Sequence, residues 1–325
     1  LNDKGGAVAF YGTTRTVYAQ YNRHINRAFI HRVLSLVDGK PITIGEAHRL
    51  AQNDLVSGNG PTSGSDVTVN HLHYSLLGDP ALALNLPMHQ IVVDSINGIP
   101  VAGAATLPML KAGSIARMAG HIEGADDFRG VITATVRDSK ETVTCRLNDT
   151  GKDGAEKAFE YKDRTKTLYQ GTDSVRGGKF TFSFAVPLDI NYSNQSGLVN
   201  LYAVNTAKTL SAHGSSEQFT VGESEEQKND SIGPSIYCYL NSPSFVDGGN
   251  VNTTPFFVAK ITDKDGINAA GSGIGHDLQL VIDGDMSKTY VLNSNFIYDF
   301  GTYTSGSTYY SIPQLEPGKH ELTFR

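Results

Sequence analysis

KFTFSFAV, residues 179–186, alternates without a break: Phe180, Phe182, Phe184 and Val186 fall on one side, Thr181 and Ser183 on the other. Successive side chains of a strand point to opposite faces, so the stretch predicts a strand with one face in a core and the other in water. The same period of two recurs at 115–122, 131–136, 143–147 and 199–203. Turn-rich breaks separate these runs, which predicts an all-β, immunoglobulin-like sandwich over residues 89–222. A polar, acidic tract, ESEEQKNDSIG (223–233), reads as a linker. Beyond it the pattern returns at 235–240, 256–261, 278–282, 290–292, 309–312 and 320–324, predicting a second, smaller sandwich over 234–325. Its last strand stops with the chain, so this sandwich is expected to be truncated.

Residues 1–88 read differently, as an incomplete α/β segment. GAVAFY (6–11) is a short continuous apolar run, as expected of a parallel-sheet strand covered on both faces, and Gly12 ends it. Ile25, Phe29, Val33 and Leu36 then recur at three- and four-residue steps, predicting a helix closed by Gly39. Thr43 and Glu46 have capping-box spacing and open a second helix through Ala47, Leu50, Ala51 and Leu55. A Gly- and Ser-rich loop (58–65) leads to a predicted strand at 69–77. Two strands make a small sheet with an open edge, so this segment is expected to be the least self-sufficient part of the chain.

The bulk composition narrows the function. Of 325 residues, 39% are hydrophobic and 18% charged, with 34 glycines, no tryptophan and a net charge of −6. That composition is globular. No concentrated basic patch exists to hold a nucleic acid, and no apolar run approaches the ~20 residues of a transmembrane segment.

Few residues carry candidate chemistry. Cys145 and Cys238 each sit in an alternating run and read as small buried hydrophobes, with a mutual disulfide the alternative. His71 and His73 would share one strand face, where two imidazoles could hold a metal but no third ligand is evident. His24, His31 and His48 read as solvated helix positions. Gly12, Thr13, Thr14 and Arg15 follow the apolar strand as a substrate-proximal loop. Its hydroxyls and guanidinium could bind a peptide backbone or carboxylate, or simply cap the following turn and face water. Asp263 and Asp265 are candidate calcium ligands, with a plain Asx turn the alternative; calcium is the one cofactor left open.

Four stretches carry a family resemblance. GAVAFYGTTR (6–15) with NRHINRAF (22–29), and LLGDPALALNLP (76–87), resemble the late part of the catalytic domain of gingipain-type cysteine peptidases. GGKFTFSFAVPLDINY (177–192) and DKDGINAAGSGIGHD (263–277) resemble the β modules that follow it in the type IX secretion sortase branch. The resemblance implies a caspase-like fold for residues 1–88 and a fragment of a peptidase or sortase that processes C-terminal sorting signals. Its setting would be the extracellular face of the outer membrane of a Gram-negative bacterium, with exported protein substrates and secretion-system components as partners. Neither residue of that family's His–Cys dyad has a counterpart here, so no catalytic residue is assigned and the fragment alone is expected to be inactive. The alternative is a non-catalytic surface protein that binds glycan or protein, supported by the tyrosines Tyr298, Tyr303, Tyr309 and Tyr310.

Overall fold

The computed structural model describes residues 6–57, 67–145, 151–225, 232–269 and 277–325. The loop at 58–65, most of the 223–233 tract and the GSGIG motif fall largely or wholly outside them. The chain is mostly β and forms two compact units, residues 1–88 and 89–325.

The first unit runs β1 (Ala9–Thr13), α1 (Ala19–Val33), a small hairpin of β2 (Leu36–Val37) and β3 (Lys40–Pro41), α2 (Ile44–Val56), α3 (Thr68–His73) and β4 (Tyr74–Gly78). The expected parallel strand is antiparallel: among the described residues β1 pairs with β4 alone, from Ala9↔Gly78 to Thr13↔Tyr74. Nor is it covered on both faces. Ala9 and Tyr11 turn into the core, whereas Val8 and Phe10 are 76% and 59% exposed. Continuous apolarity misled here because a strand with one open face normally alternates apolar and polar residues, and this one does not.

The stretch expected as a strand over 69–77 divides into α3 and β4. Leu36 also leaves its helix, because α1 stops at Val33 and the chain turns back through Asp38 and Gly39, both with positive φ (51° and 71°). Positive φ at both central residues is what a tight two-residue hairpin requires.

The two long helices meet through Ile25, Phe29, Val33, Ala47, Ala51 and Leu55, the last turns also joined by a two-bond Arg32–Asp54 pair at 2.8 and 2.9 Å. The start of α2 leaves no early amide free. Glu46 N–H donates to Thr43 Oγ1 at 3.2 Å, Ile44 N–H to the Leu82 carbonyl at 2.8 Å and Gly45 N–H to the Pro80 carbonyl at 3.0 Å. The capping box is half made, since the Glu46 carboxylate turns to Arg49 at 2.6 and 2.8 Å instead of to Thr43. The GDPALAL stretch is thus the lid on a helix end.

In the second unit, Gly130–Arg137 pairs antiparallel with Thr167–Arg176 on one side and Leu198–Asn205 on the other, and Ser211–Ser216 extends that sheet. Lys179–Ala185 pairs with Ile115–Ile122, which pairs with His89–Ile96. These two groups join only at the hairpin tip Val175↔Phe180 and through a two-residue parallel pairing of 212–213 with 89–90. Their inward faces share one core, in which Phe180, Phe182 and Phe184 meet Ile132, Val136 and Leu201. The alternation at 179–186 is realised as expected. Thr220–Ser224 pairs in parallel with Met109–Ala112, so regular structure extends past residue 222.

A four-stranded sheet follows, in the order Ser235–Leu240, Phe256–Thr262, Ser305–Ser311, Ile297–Tyr298. It packs on Gln279–Ile282 and its two neighbours, Asp285–Val291 and Leu322–Phe324, around Leu240, Phe257, Leu280, Ile282 and Ile312. The other end of its inner face enters the larger core. Ile261, Phe296 and Tyr298 belong there, and Tyr298 lies 5.2 Å from Tyr169 between ring centroids.

Neither cysteine is where alternation put it. Cys238 is exposed because Ser235–Leu240 is an edge strand whose first half extends past the core. Cys145 is half-buried next to Glu141–Thr144, a strand that pairs only with Glu160–Asp163 in a separate two-stranded ribbon. Neither forms a disulfide.

Candidate functional site

The loop after β1 is built by β4 and α3. Gly12 and Thr13 remain in the strand, opposite Ser75 and Tyr74. Gly12 does not end the strand; its bare Cα lets the Phe10 ring lie over it, where a Cβ would come within 2.6 Å of that ring. Thr14 donates twice to the His73 carbonyl, from its amide at 3.0 Å and its hydroxyl at 3.3 Å, so this hydroxyl clamps the chain and caps no helix. Thr13 and Arg15 are exposed, and no described residue bonds the Arg15 guanidinium. Of the four expected loop residues, Thr13 and Arg15 therefore present their side chains to solvent, and Arg15 brings the charge. Because β1 and β4 are antiparallel, the loop does not lie at the C-terminal edge of a parallel pair, where open α/β sheets place their sites.

Behind the loop, Tyr11 stacks on Phe29 at 3.9 Å between centroids and meets Tyr74 at 5.1 Å and the edge of His48 at 5.5 Å. His48 is thus no solvated helix residue. Burial, reinforced by the nearby His71, holds its imidazole below the usual histidine range, so it is neutral near pH 7. Burial also pushes the Tyr11 phenol well up, with Tyr74 adding to the effect. Tyr74 is raised by burial too, although Asn26 donates to its hydroxyl at 2.8 Å. Tyr11 Oη, His48 Nδ1 and His73 Nδ1 are buried without a hydrogen-bond partner among the described residues. A neutral imidazole can accept a proton, but neither cysteine belongs to this unit to act as its nucleophile.

His71 and His73 do not converge. They lie two residues apart on α3 rather than on a strand, and positions two apart on a helix point away from each other. Among the described residues, no group of three or more His, Cys, Asp or Glu could hold a metal ion.

Asp263 and Asp265 form a compact turn. Asp263 Oδ1 accepts the Asp265 amide at 2.9 Å, the Asx geometry, and the Asp263 carbonyl accepts Gly266 N–H at 3.2 Å. The Asp265 carboxylate is met by Lys264 at 2.9 Å. The turn is closed by the chain's own groups, as the alternative reading expected.

One residue that pattern reading missed organises this unit. Asn70, fully buried on α3, accepts the Tyr18 amide and donates to the Tyr18 carbonyl, both at 3.0 Å. Tyr18 is the residue before α1 and its side chain caps no amide; Asn70, 52 residues away, instead fixes its backbone. Nothing local in the sequence could signal it.

Residues 1–85 match the model of peptidase family C25. Among solved structures, the chain is similar to the crystal structure of dimeric latent PorU from Porphyromonas gingivalis, at 30% identity over 97% of this chain and 29% of that one, with a TM-score of 0.48. The chain therefore spans less than a third of the length of that protein. No curated protein matches it. No helix among the described residues is long and apolar enough to cross a membrane.

Proposed function

We propose, from the match of residues 1–85 to peptidase family C25, that this chain is part of a gingipain-type cysteine peptidase acting at the cell surface in type IX secretion. In this reading residues 1–88 are the last part of a caspase-like catalytic domain. Residues 89–222 and 234–325 are two immunoglobulin-like accessory modules, and the parent enzyme cleaves C-terminal sorting signals from exported proteins. The thiol and imidazole that perform the cleavage lie outside the chain. Cys238 supports that assignment, since desolvation raises its thiol pKa on an edge strand, the opposite of what a thiolate nucleophile needs. Arg15 is the residue of the β1 loop that contacts substrate, through a carboxylate or a peptide carbonyl.

The reading frame preceding codon 1 tests this. A His and a Cys, each after a strand pattern, would support it; an unrelated upstream domain would refute it. A biochemical arm uses the present chain. Incubated with sorting-signal peptides it should release no product, and cleavage lost in Cys145→Ala or Cys238→Ala would place the nucleophile here and overturn the assignment.

A further inference from the structure

The strand Thr167–Arg176 is paired along its length on one side only. Gly130–Arg137 meets it from Thr167 to Val175. Its hairpin partner, Lys179–Ala185, pairs with it only at Val175 and Arg176 and then turns away to Ile115–Ile122. On the side thus left open, residues 291–301 run beside the strand. The two meet where Gly301 N–H donates to the Thr172 carbonyl at 2.9 Å and where the rings of Tyr298 and Tyr169 lie 5.2 Å apart. Between them is a cleft of about 300 Å³, with Thr167 to Gln170 on one wall and Val291 to Phe296 on the other.

One wall of this cleft is main chain. Backbone groups along an antiparallel strand turn alternately to its two sides, so the direction of the Thr172 carbonyl sets that of Gln170 as well. Among the described residues, none pairs with the Gln170 N–H or C=O on that side. The rest of the lining is apolar or already engaged. Leu168, Tyr169, Phe296 and Tyr298 are buried. Tyr298, one of the four tyrosines that the sequence offers as a binding surface, donates its hydroxyl to the Ile267 carbonyl. Asn293 accepts the Leu278 amide at 2.9 Å and donates to the Ala269 carbonyl at 3.2 Å.

This combination selects the occupant. No charged side chain lines the cleft, so nothing there answers a phosphate or a carboxylate. A donor and an acceptor on one strand edge, facing an apolar wall, match the backbone of an extended peptide, which offers the complementary pair and a side chain toward the wall at every second residue.

We propose that the cleft binds an extended segment of polypeptide, which adds a short strand beside Thr167–Gln170, exchanges main-chain hydrogen bonds with Gln170 and seats an apolar side chain against Phe296 and Val291. The volume is at the lower end of ligand pockets, so the stretch held is short. The inference rests on the strand edge and the cleft and is independent of the peptidase reading.

The test is fluorescence polarisation of a labelled peptide, acetyl-KTVTVTK-amide, titrated with the full chain. Binding should be saturable. Two N-methylated versions of the peptide, one blocking the valine amides and one the threonine amides, each remove the donors of one edge. One version should bind about tenfold more weakly or worse, and the other should stay within about twofold of the parent, because a single edge faces Gln170. Ser294→Trp, at an exposed position on the opposite wall, should close the cleft and abolish binding, with melting curves to check that the variant is folded. No binding up to about 1 mM, equal weakening by both methylated versions, or binding untouched by Ser294→Trp would each overturn the proposal. Binding gained only after residues 270–276, which follow Ala269 in the sequence, are replaced by a Gly-Ser linker of equal length would also overturn it, by giving the cleft to the chain's own segment.

Discussion

Asn70 and Tyr18 are joined by a closed pair of hydrogen bonds, each 3.0 Å long, between one carboxamide and both backbone groups of one residue. The pair ties α3 to the entry of α1 by fixing the backbone of the residue from which the helix starts. The Tyr18 carbonyl also accepts Asn22 N–H at 2.9 Å, so loss of the side chain would leave the Tyr18 amide as the group without its partner. Asn70→Ala should therefore destabilise the first unit by about 1–3 kcal/mol, one unpaired backbone amide plus a small cavity. Asn70→Asp should also be costly, because a carboxylate cannot donate to the Tyr18 carbonyl. Urea denaturation followed by tyrosine fluorescence would measure both, and a loss below about 0.5 kcal/mol for Asn70→Ala would show that the clamp is dispensable.

Gly45 makes a second prediction about the same unit. A Cβ at this position would lie 2.6 Å from Pro80 Cβ and 2.8 Å from the Pro80 carbonyl oxygen. The backbone there is helical, so Ala would ordinarily be the better residue. The close approach reverses that preference. Gly45→Ala should cost roughly 1–3 kcal/mol as the GDP stretch is pushed off the helix end. A gain in thermal stability would mean that the stretch can move aside freely.

What could be read from sequence follows how local each determinant is. Thr43 and Glu46 announced the start of α2 because their bond spans three residues, and Phe180, Phe182 and Phe184 announced a core face because period two is a property of the strand itself. Asn70 and the Pro80–Gly45 contact were silent, since each depends on residues tens of positions away. The stretch 69–77 divides into helix and strand for a related reason. THis short stretch, VNHLHYSLL, has too few residues to separate a period of 3.6 from a period of 2, and tertiary packing makes its first part helical. The cysteines failed differently. Alternation gives a residue's face but not whether that face is covered, and an edge strand or an isolated ribbon leaves it open. Of the loop residues, Gly12–Arg15 could be located by sequence, but their pairing with an antiparallel neighbour could not.

Cys238 should react with a maleimide in the native state, contrary to what its alternating pattern alone would give. It is exposed, so no unfolding is needed, but desolvation raises its thiol pKa and keeps the thiolate scarce near neutrality. Labelling should therefore be slow near pH 7 and accelerate with each step toward pH 9 as the thiolate fraction grows. Peptide mapping by mass spectrometry would assign the site. Protection of Cys238 until denaturant is added would show that the edge strand is covered.

The hairpin formed by Gln279–Ile282 and Asp285–Val291 should carry a pH-dependent stability contribution, read from the imidazole beside its turn. His320 Nδ1 lies 2.8 Å from Asp283 Oδ2, and Nε2 lies 2.8 Å from the Glu316 carbonyl, so both ring nitrogens face acceptors. Only the imidazolium can donate from both. The Glu316 carbonyl first, and the Asp283 carboxylate second, raise the His320 pKa above its ordinary value, against opposition from desolvation and Lys288. Asp283 is lowered in turn, chiefly by the Glu321 amide that it accepts and then by His320. For a base whose native pKa exceeds its unfolded one, the stabilisation is complete below the unfolded value of about 6.5 and is lost as pH rises through the native value. The carboxylate acts in the opposite sense: its share is present above about 3.9 and disappears as pH falls through its depressed native value. Both contributions therefore coexist between about pH 4 and 6.5. The melting temperature of wild type should exceed that of His320→Gln within that window, and the gap should close as pH rises toward about 9. Parallel melting curves across this range, or a His320 titration in NMR at or below about 6.5, would show that the ring is held neutral and that the hairpin does not depend on its charge.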